Sequence, residues 1–85
     1  MPTISRFRGI SILMFINDHP PPHFHAEYGE YEAKIRIADG DMFEGEIPTP
    51  AYRLVRQWHS MRRAELDENW KRIERGELPH KIAPL

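Results

Sequence analysis

The chain has 85 residues, of which 29% are charged, and its net charge at pH 7 is −1. This length suits one small domain, so we expect residues 1–85 to fold as a single unit. The chain contains no cysteine, which excludes disulfide frameworks and thiolate metal sites. Its longest apolar run, residues 10–16, is far shorter than a membrane span of about 20 residues. The sequence therefore predicts a cytoplasmic protein without membrane contact.

The small net charge hides an asymmetry between the two halves. Residues 1–47 carry four basic and eight acidic side chains, whereas residues 48–85 carry eight basic and five acidic ones. An acidic half joined to a basic half favours internal complementarity or a charged partner. It is weaker than the basic excess typical of a dedicated nucleic-acid binder.

The first half of the chain has the pattern of an antiparallel meander. Residues 4–8 predict a short strand, and residues 10–16 predict a central strand covered on both sides, because both alternating faces are apolar. Residues 23–28 and 31–37 alternate around Gly29-Glu30, which indicates a hairpin. After the Asp39-Gly40 turn, residues 42–47 predict a polar edge strand.

A two-residue loop at Gly29-Glu30 also predicts the hairpin's register. One face, which we expect to be core, would pair Tyr28 with Tyr31, Ala26 with Ala33 and Phe24 with Ile35. The opposite face would pair His25 with Lys34, His23 with Arg36 and Glu27 with Glu32.

The second half predicts a long amphipathic helix. Thr49 is the expected N-cap with Pro50 at the first helical position, and Gly76 suits the C-terminal end. Between them the apolar positions share one face at 100° per residue: Ala51, Leu54, Val55, Trp58, Leu66 and Ile73, with Trp70 on the flank. One helix of roughly 26 residues fits, and a break into two helices near residues 62–64 is the alternative.

The expected fold is therefore α+β: an antiparallel β-meander of four to five strands packed against one long C-terminal amphipathic helix. The apolar residues Ile82 and Leu85 predict that the tail docks on this domain. Trp58 and Trp70 are predicted core residues, whereas Tyr52 and His59 lie at the stripe's edge and are candidates for a partner interface.

The stretch Asp18–Tyr28 holds three of the five histidines, and three consecutive prolines lie among them. The prolines predict a stiff, extended connector. On a strand, His23 and His25 point the same way with about 6.5–7 Å between their Cα atoms, a workable spacing for one divalent metal ion. His19 or Asp18 would supply a third ligand.

Two alternatives to a metal site stay open for the histidines. The hairpin register places Lys34 and Arg36 beside them, and fixed cations repel a metal ion. The histidines would then be packed in the sheet and bonded to backbone or carboxylate groups. The other alternative is a histidine that acts as general acid or base.

Arg62, Glu65 and Asn69 share the angular sector of the helix's apolar residues, so we expect them to border the core. One interpretation is an Arg62–Glu65 pair, with Asn69 anchoring a strand end or the tail. The other is that they meet the histidines, with Arg62 holding an anion and Glu65 orienting an imidazole. The candidate catalytic set is then His19, His23, His25, Arg62 and Glu65, and the candidate metal ligands are His23 and His25.

The outer helix face is basic and is interrupted by Asp67; it holds Arg53, Arg56, Arg63 and Lys71. Such a face is typically solvated, and a phosphate-backbone contact is the alternative.

The run DHPPPHFHAEYG, residues 18–29, resembles the signature of a small bacterial family catalogued as domain of unknown function four-one-six-zero. The resemblance extends over almost the whole chain, from the MPTISRF opening through residues 44–48, Leu54-Val55, Trp58 and residues 65–70 to the tail at residues 82–85. The family has no settled activity. Its members are often encoded beside another small uncharacterised protein, as in toxin–antitoxin pairs, which implies a protein partner encoded nearby.

Three functional hypotheses follow. The favoured one is an interaction component of a toxin–antitoxin-like two-gene module, with His19, His23 and His25 as its functional surface and a homodimer as a further assembly. The second is a histidine-based hydrolase or RNase-type toxin, with or without a divalent metal as its only cofactor. The third is nucleic-acid binding through the basic helix face.

Overall fold

The computed structural model describes residues 3–85, which form a five-stranded antiparallel sheet followed by one helix. The strands lie in sequence order across the sheet: β1 (Thr3–Phe7), β2 (Ile10–Leu13), β3 (His23–Tyr28), β4 (Tyr31–Arg36) and β5 (Met42–Glu46). The helix α1 spans Thr49–Glu74. The predicted α+β meander, with β5 at an edge, is confirmed. No helix within residues 3–85 combines the length and apolar character needed to cross a bilayer.

The β3–β4 hairpin has the predicted register at every pair. Tyr28 lies opposite Tyr31, Phe24 opposite Ile35 and His25 opposite Lys34. Gly29 has a φ of 59° in the two-residue turn, a conformation that glycine adopts without steric cost. The alternation of the sequence was therefore sufficient to decide which side chains share a face.

The second strand is shorter than predicted, ending at Leu13 rather than at residue 16. A turn ends it: the Asp18 N–H donates to the Phe15 carbonyl at 3.2 Å, and the Phe15 N–H donates to the Asp18 carboxylate at 3.3 Å. Met14 stays fully buried beyond the strand. Because the apolar run continues past the last paired residue, hydropathy alone carried no signal for the strand's end.

The helix has the predicted length of 26 residues. Its N-cap is Pro48 without a side-chain cap, so the prediction of Thr49 as N-cap was wrong by one residue. At the other end, Gly76 has a φ of 76°, and its N–H donates to the Ile73 carbonyl at 2.9 Å. Glu77 N–H donates to the Arg72 carbonyl at 2.8 Å, completing a Schellman motif.

Helix α1 is one helix, but it is kinked inside the interval where a break was the alternative. Arg62 has φ −119° and ψ 18°, outside the helical region, while the helix continues on both sides of it. The apolar stripe keeps its contacts across the kink, since Trp58 and Leu66 are both fully buried.

The core lies between the sheet and α1, and Phe24 and Trp58 are at its centre. Their ring centroids are 5.7 Å apart, and the Phe7 ring is at the same distance from Trp58. The Trp58 indole N–H donates to the Ala83 carbonyl at 2.9 Å. Ile82 N–H donates to the Ile4 carbonyl at 2.7 Å, so the predicted docking of the tail is confirmed.

Two expectations about aromatic residues were wrong. Tyr28 and Tyr31, predicted to be core, are 37% and 48% exposed, whereas Phe24 and Ala26 on the same face are fully buried. The packing that buries this face of the sheet therefore ends before the last residue pair of the hairpin, Tyr28 and Tyr31. His59, a candidate for a partner interface, is instead buried, with a ring nitrogen 2.6 Å from the Ile37 carbonyl. Tyr52 is half-buried and its hydroxyl donates to the Gly40 carbonyl at 2.7 Å; its part in a partner interface stays a prediction.

Candidate functional site

The first half of β3 places two histidines side by side. His23 and His25 alternate with Phe24, so both rings lie on the side of the strand opposite to that core residue. The two rings are 4% and 7% exposed, and their centroids are 5.0 Å apart. Burial of two imidazoles so close together requires polar partners, because an unpaired buried polar atom is costly.

Asp18 supplies a carboxylate to both rings. Its Oδ2 lies 3.1 Å from Nε2 of His25 and 3.6 Å from Nε2 of His23. The turn that ends β2 holds Asp18 there, because the same Oδ2 accepts the Phe15 N–H. The Asp18–His23–His25 cluster thus offers one potential ligand atom per residue, and the three atoms lie within 4.8 Å of one another.

The proline run fixes the protonation pattern of His23. Nδ1 of His23 is 2.7 Å from the Pro21 carbonyl oxygen, and since a carbonyl only accepts, Nδ1 carries the proton. The neutral ring then has its lone pair on Nε2. Within residues 3–85, this Nε2 is buried without a hydrogen-bond partner, and the same is true of Nδ1 of His25.

Aromatic side chains surround the cluster. The Phe15 ring meets His25 edge-on at 4.7 Å between centroids. Phe43 of β5 and Trp70 of α1 lie 5.6 and 5.7 Å from the His23 ring. These rings separate the imidazoles from bulk water and lower the local dielectric, which strengthens electrostatic interactions inside the cluster.

The two cations that the register places beside the histidines are paired with carboxylates. Lys34 Nζ lies 2.9 Å from Glu44, and Arg36 Nε lies 3.2 Å from Asp39. The hydrogen bond between Lys34 and Glu44 raises the pKa of the lysine and lowers the pKa of the glutamate. Both cations are therefore largely compensated, which removes most of the repulsion that would oppose a metal ion.

The other sequence-predicted site residues lie apart from the cluster. Of the three histidines expected to form the functional surface, His19 is exposed and lies beside Asp18, whereas His23 and His25 are buried. Arg62 and Glu65 pair with each other at 3.4 Å. Across residues 3–85, no hydrogen bond or ion pair joins either of them to His23 or His25.

Asn69 anchors the tail. Its side-chain NH₂ donates to the His80 carbonyl at 2.8 Å, and its Oδ1 accepts the His80 N–H at 2.8 Å. Because its side chain is held by both bonds, Asn69 serves the docking of the C-terminal segment.

Much of the basic helix face is neutralised by carboxylates. Arg56 lies 3.3 Å from Asp41, and Arg63 lies 3.8 Å from Asp67. Each guanidinium thereby loses part of the attraction that would hold a phosphate.

Sequence reasoning did not predict the aromatic side chains that surround the cluster, and Phe43 was the least expected of them. The pairing of β4 with β5 shifts between Lys34, opposite Glu44, and Ile35, opposite Met42, so that Phe43 is the extra residue of a bulge. A bulge turns a side chain away from regular alternation. No feature of the β5 sequence marks its position except Gly45, which has a φ of 72°.

Comparison with known proteins identifies the family of this chain without naming an activity. The family model described as Domain of unknown function (DUF4160) matches residues 9–71. Comparison with curated proteins gave no match, and comparison with solved structures gave none. Since the matched segment covers most of the chain and includes the whole cluster, the chain belongs to the DUF4160 family.

Proposed function

We propose that this chain is the interaction component of a toxin–antitoxin-like two-gene module and acts by binding a partner protein. The observation that carries the proposal is the exposed Tyr28–Tyr31 pair at the end of the β3–β4 hairpin. We define the hairpin-tip surface as this pair on one face of the sheet, Glu30 in the turn, and Glu27, Glu32 and Glu46 on the opposite face.

The two tyrosines are typical of an interface anchor. They are directly opposite in the hairpin and continue the apolar face of Phe24 and Ala26, yet they are 37% and 48% exposed. Tyrosine is enriched at interfaces because its ring buries a large area at low entropic cost while its hydroxyl still bonds to water or to a partner. The pair therefore extends the core face of the sheet to the surface.

The charge on the opposite face of the hairpin from the tyrosines favours a basic partner. Glu27, Glu32 and Glu46 are direct neighbours across β3, β4 and β5. No ion pair involves any of the three in the part of the chain that the structure describes, residues 3–85. Like charges opposite one another destabilise a sheet, and a cationic partner would relieve that repulsion.

The partner that fits is a protein whose Lys and Arg side chains border an apolar pocket. Such a partner would bury the tyrosine rings on one face of the hairpin and reach around its end to place cations against the glutamate row on the other face. In protein interfaces, buried aromatic side chains usually supply most of the affinity, and charged side chains at the border steer the partner and speed association.

The other two hypotheses have less support. A histidine-based hydrolase would use Arg62 and Glu65 beside the imidazoles, but those two residues pair with each other while His23 lies beneath Phe43 and Trp70. Nucleic-acid binding would use the helix arginines, of which Arg56 and Arg63 are paired with carboxylates.

The test is co-expression with the small protein encoded beside this chain, followed by calorimetric titration of the purified pair. We expect Tyr31→Ser to weaken binding at least about tenfold, since truncated aromatic anchors cost about 2 kcal/mol or more. Raising the salt concentration should weaken the complex by slowing association. Met61→Ser is the matched control, because Met61 is 55% exposed but lies on the helix, and it should leave affinity unchanged.

Equal affinities for Tyr31→Ser and the unsubstituted chain would overturn the hairpin-tip surface as the docking site. Growth arrest caused by the chain alone, and abolished by His23→Ala in a folded protein, would favour the toxic enzyme instead.

A further inference from the structure

We propose that Asp18, His23 and His25 bind one divalent ion of the zinc type. The proposal concerns the opposite end of β3 from the hairpin-tip surface and does not depend on a partner protein. Two imidazoles and a carboxylate form the donor set, which suits zinc and its neighbours in the first transition row.

The strongest support is the unpartnered atom Nε2 of His23. Its proton is on the other ring nitrogen, held by the Pro21 carbonyl at 2.7 Å. In the neutral ring, Nε2 turns a lone pair toward Asp18 Oδ2, an acceptor only 3.6 Å away. Two facing acceptors repel each other in a buried site, whereas a cation between them converts the repulsion into two bonds.

The distances suit a shared ion. Metal bonds of about 2.1 Å in a tetrahedral arrangement place ligand atoms about 3.4 Å apart. The Asp18 carboxylate oxygen is 3.1 Å from one imidazole nitrogen and 3.6 Å from the other. Small side-chain adjustments bring all three atoms, which lie within 4.8 Å of one another, to bonding distance.

The surroundings provide the outer contact that a metal-bound histidine requires for His23, whereas Nδ1 of His25 has no such partner within residues 3–85. A ligating histidine usually donates its second ring N–H to a carbonyl or carboxylate, which fixes the ring and increases its basicity. The Pro21 carbonyl has this role for His23. Prolines 20–22 hold that carbonyl in a segment with few backbone freedoms.

The ion would tie the connector between β2 and β3 to the sheet. Asp18 lies on that connector and the histidines on β3, so a metal bound by all three cross-links segments that otherwise share few hydrogen bonds. Both histidines are buried, which restricts exchange of the ion with solvent. We infer a structural ion that makes the connector rigid.

The experiment uses the full chain without an affinity tag, stripped with EDTA and titrated with Zn²⁺ by calorimetry and with Co²⁺ by absorbance. We expect one ion per chain, and a thermal midpoint raised by roughly 10–20 °C at Zn²⁺ about a hundredfold above Kd. Asp18→Asn and His23→Gln should each weaken binding by at least about tenfold. His19→Gln and His80→Gln are the matched controls, since both residues are exposed, and neither should change the affinity.

Circular dichroism of each variant separates lost binding from lost folding. If His23→Gln does not fold, Asp18→Asn decides, because Asp18 is partly exposed and lies outside the strands. The proposal is overturned if the folded chain binds no stoichiometric ion, if Asp18→Asn binds as tightly as the unsubstituted chain, or if His19→Gln abolishes binding.

Discussion

The two ends of β3 depart from the usual distribution of side chains in opposite ways. At its start, two imidazoles are buried to 4% and 7% exposure, with ring nitrogens that lack hydrogen-bond partners within residues 3–85. At its end, Tyr28 is 37% exposed beside Tyr31 at 48%. A buried polar group and an exposed apolar pair are the two observations that carry functional information in a small domain.

The difference between the two ends of β3 indicates which kind of ligand would satisfy each of them. The start of β3 has buried imidazole nitrogens whose lone pairs would bind a small cation. The end has an outward-facing aromatic surface that only a macromolecule is large enough to cover. Between them lies Phe24, which is fully buried and packs against Trp58. The candidate internal site and the exposed surface therefore lie on either side of the buried Phe24.

The largest effect is expected at that centre. Phe24→Ala removes a buried ring in contact with Trp58, and we expect it to lower the free energy of unfolding by about 3–5 kcal/mol. Guanidinium denaturation measures this, with Met61→Ala as a surface control that stays within about 0.5 kcal/mol of the unsubstituted chain. A loss of unfolding free energy below about 1.5 kcal/mol would mean that the packing of Phe24 does not hold the two ends of β3 in place.

A middle-sized effect separates the tail from the cluster. Asn69→Ala removes both side-chain hydrogen bonds to His80 and should lower the free energy of unfolding by about 1–3 kcal/mol. Zinc affinity measured on the folded variant should not change. A parallel loss of zinc affinity would show that tail docking and the histidine cluster are one coupled unit.

The smallest effect has opposite signs for stability and for binding. Glu32→Gln removes a charge that faces Glu27 on one side and Glu46 on the other, so we expect stability to rise by about 0.2–1 kcal/mol. Affinity for the proposed basic partner should fall, as titration would show. Lower stability together with unchanged affinity would remove the assigned role of the glutamate row.

The sequence was sufficient to predict the parts of this fold that depend on local periodicity. The pairing of Phe24 with Ile35 follows from alternation around a two-residue turn, and the end of α1 follows from Gly76. The pairing of Arg62 with Glu65, one of two interpretations of the sequence, follows from their three-residue spacing on one helix.

The rest depended on contacts between distant segments. Alternation placed Tyr28 on the core face, but it could not reveal how far along that face the other segments of the chain bury the sheet. The sequence also left His19 and Asp18 as alternative third ligands, and the turn bonded to Phe15 places Asp18 at the imidazoles. Phe43 reaches His23 through a bulge, for which regular alternation gave no signal.

Crystals of the zinc-loaded chain, measured on both sides of the zinc absorption edge, test the central claim most directly. We predict one anomalous peak per chain, about 2.0–2.2 Å from Nε2 of His23, Nε2 of His25 and a carboxylate oxygen of Asp18. A peak at His19 or His80, or a cluster that contains no peak at saturating zinc, would contradict the account.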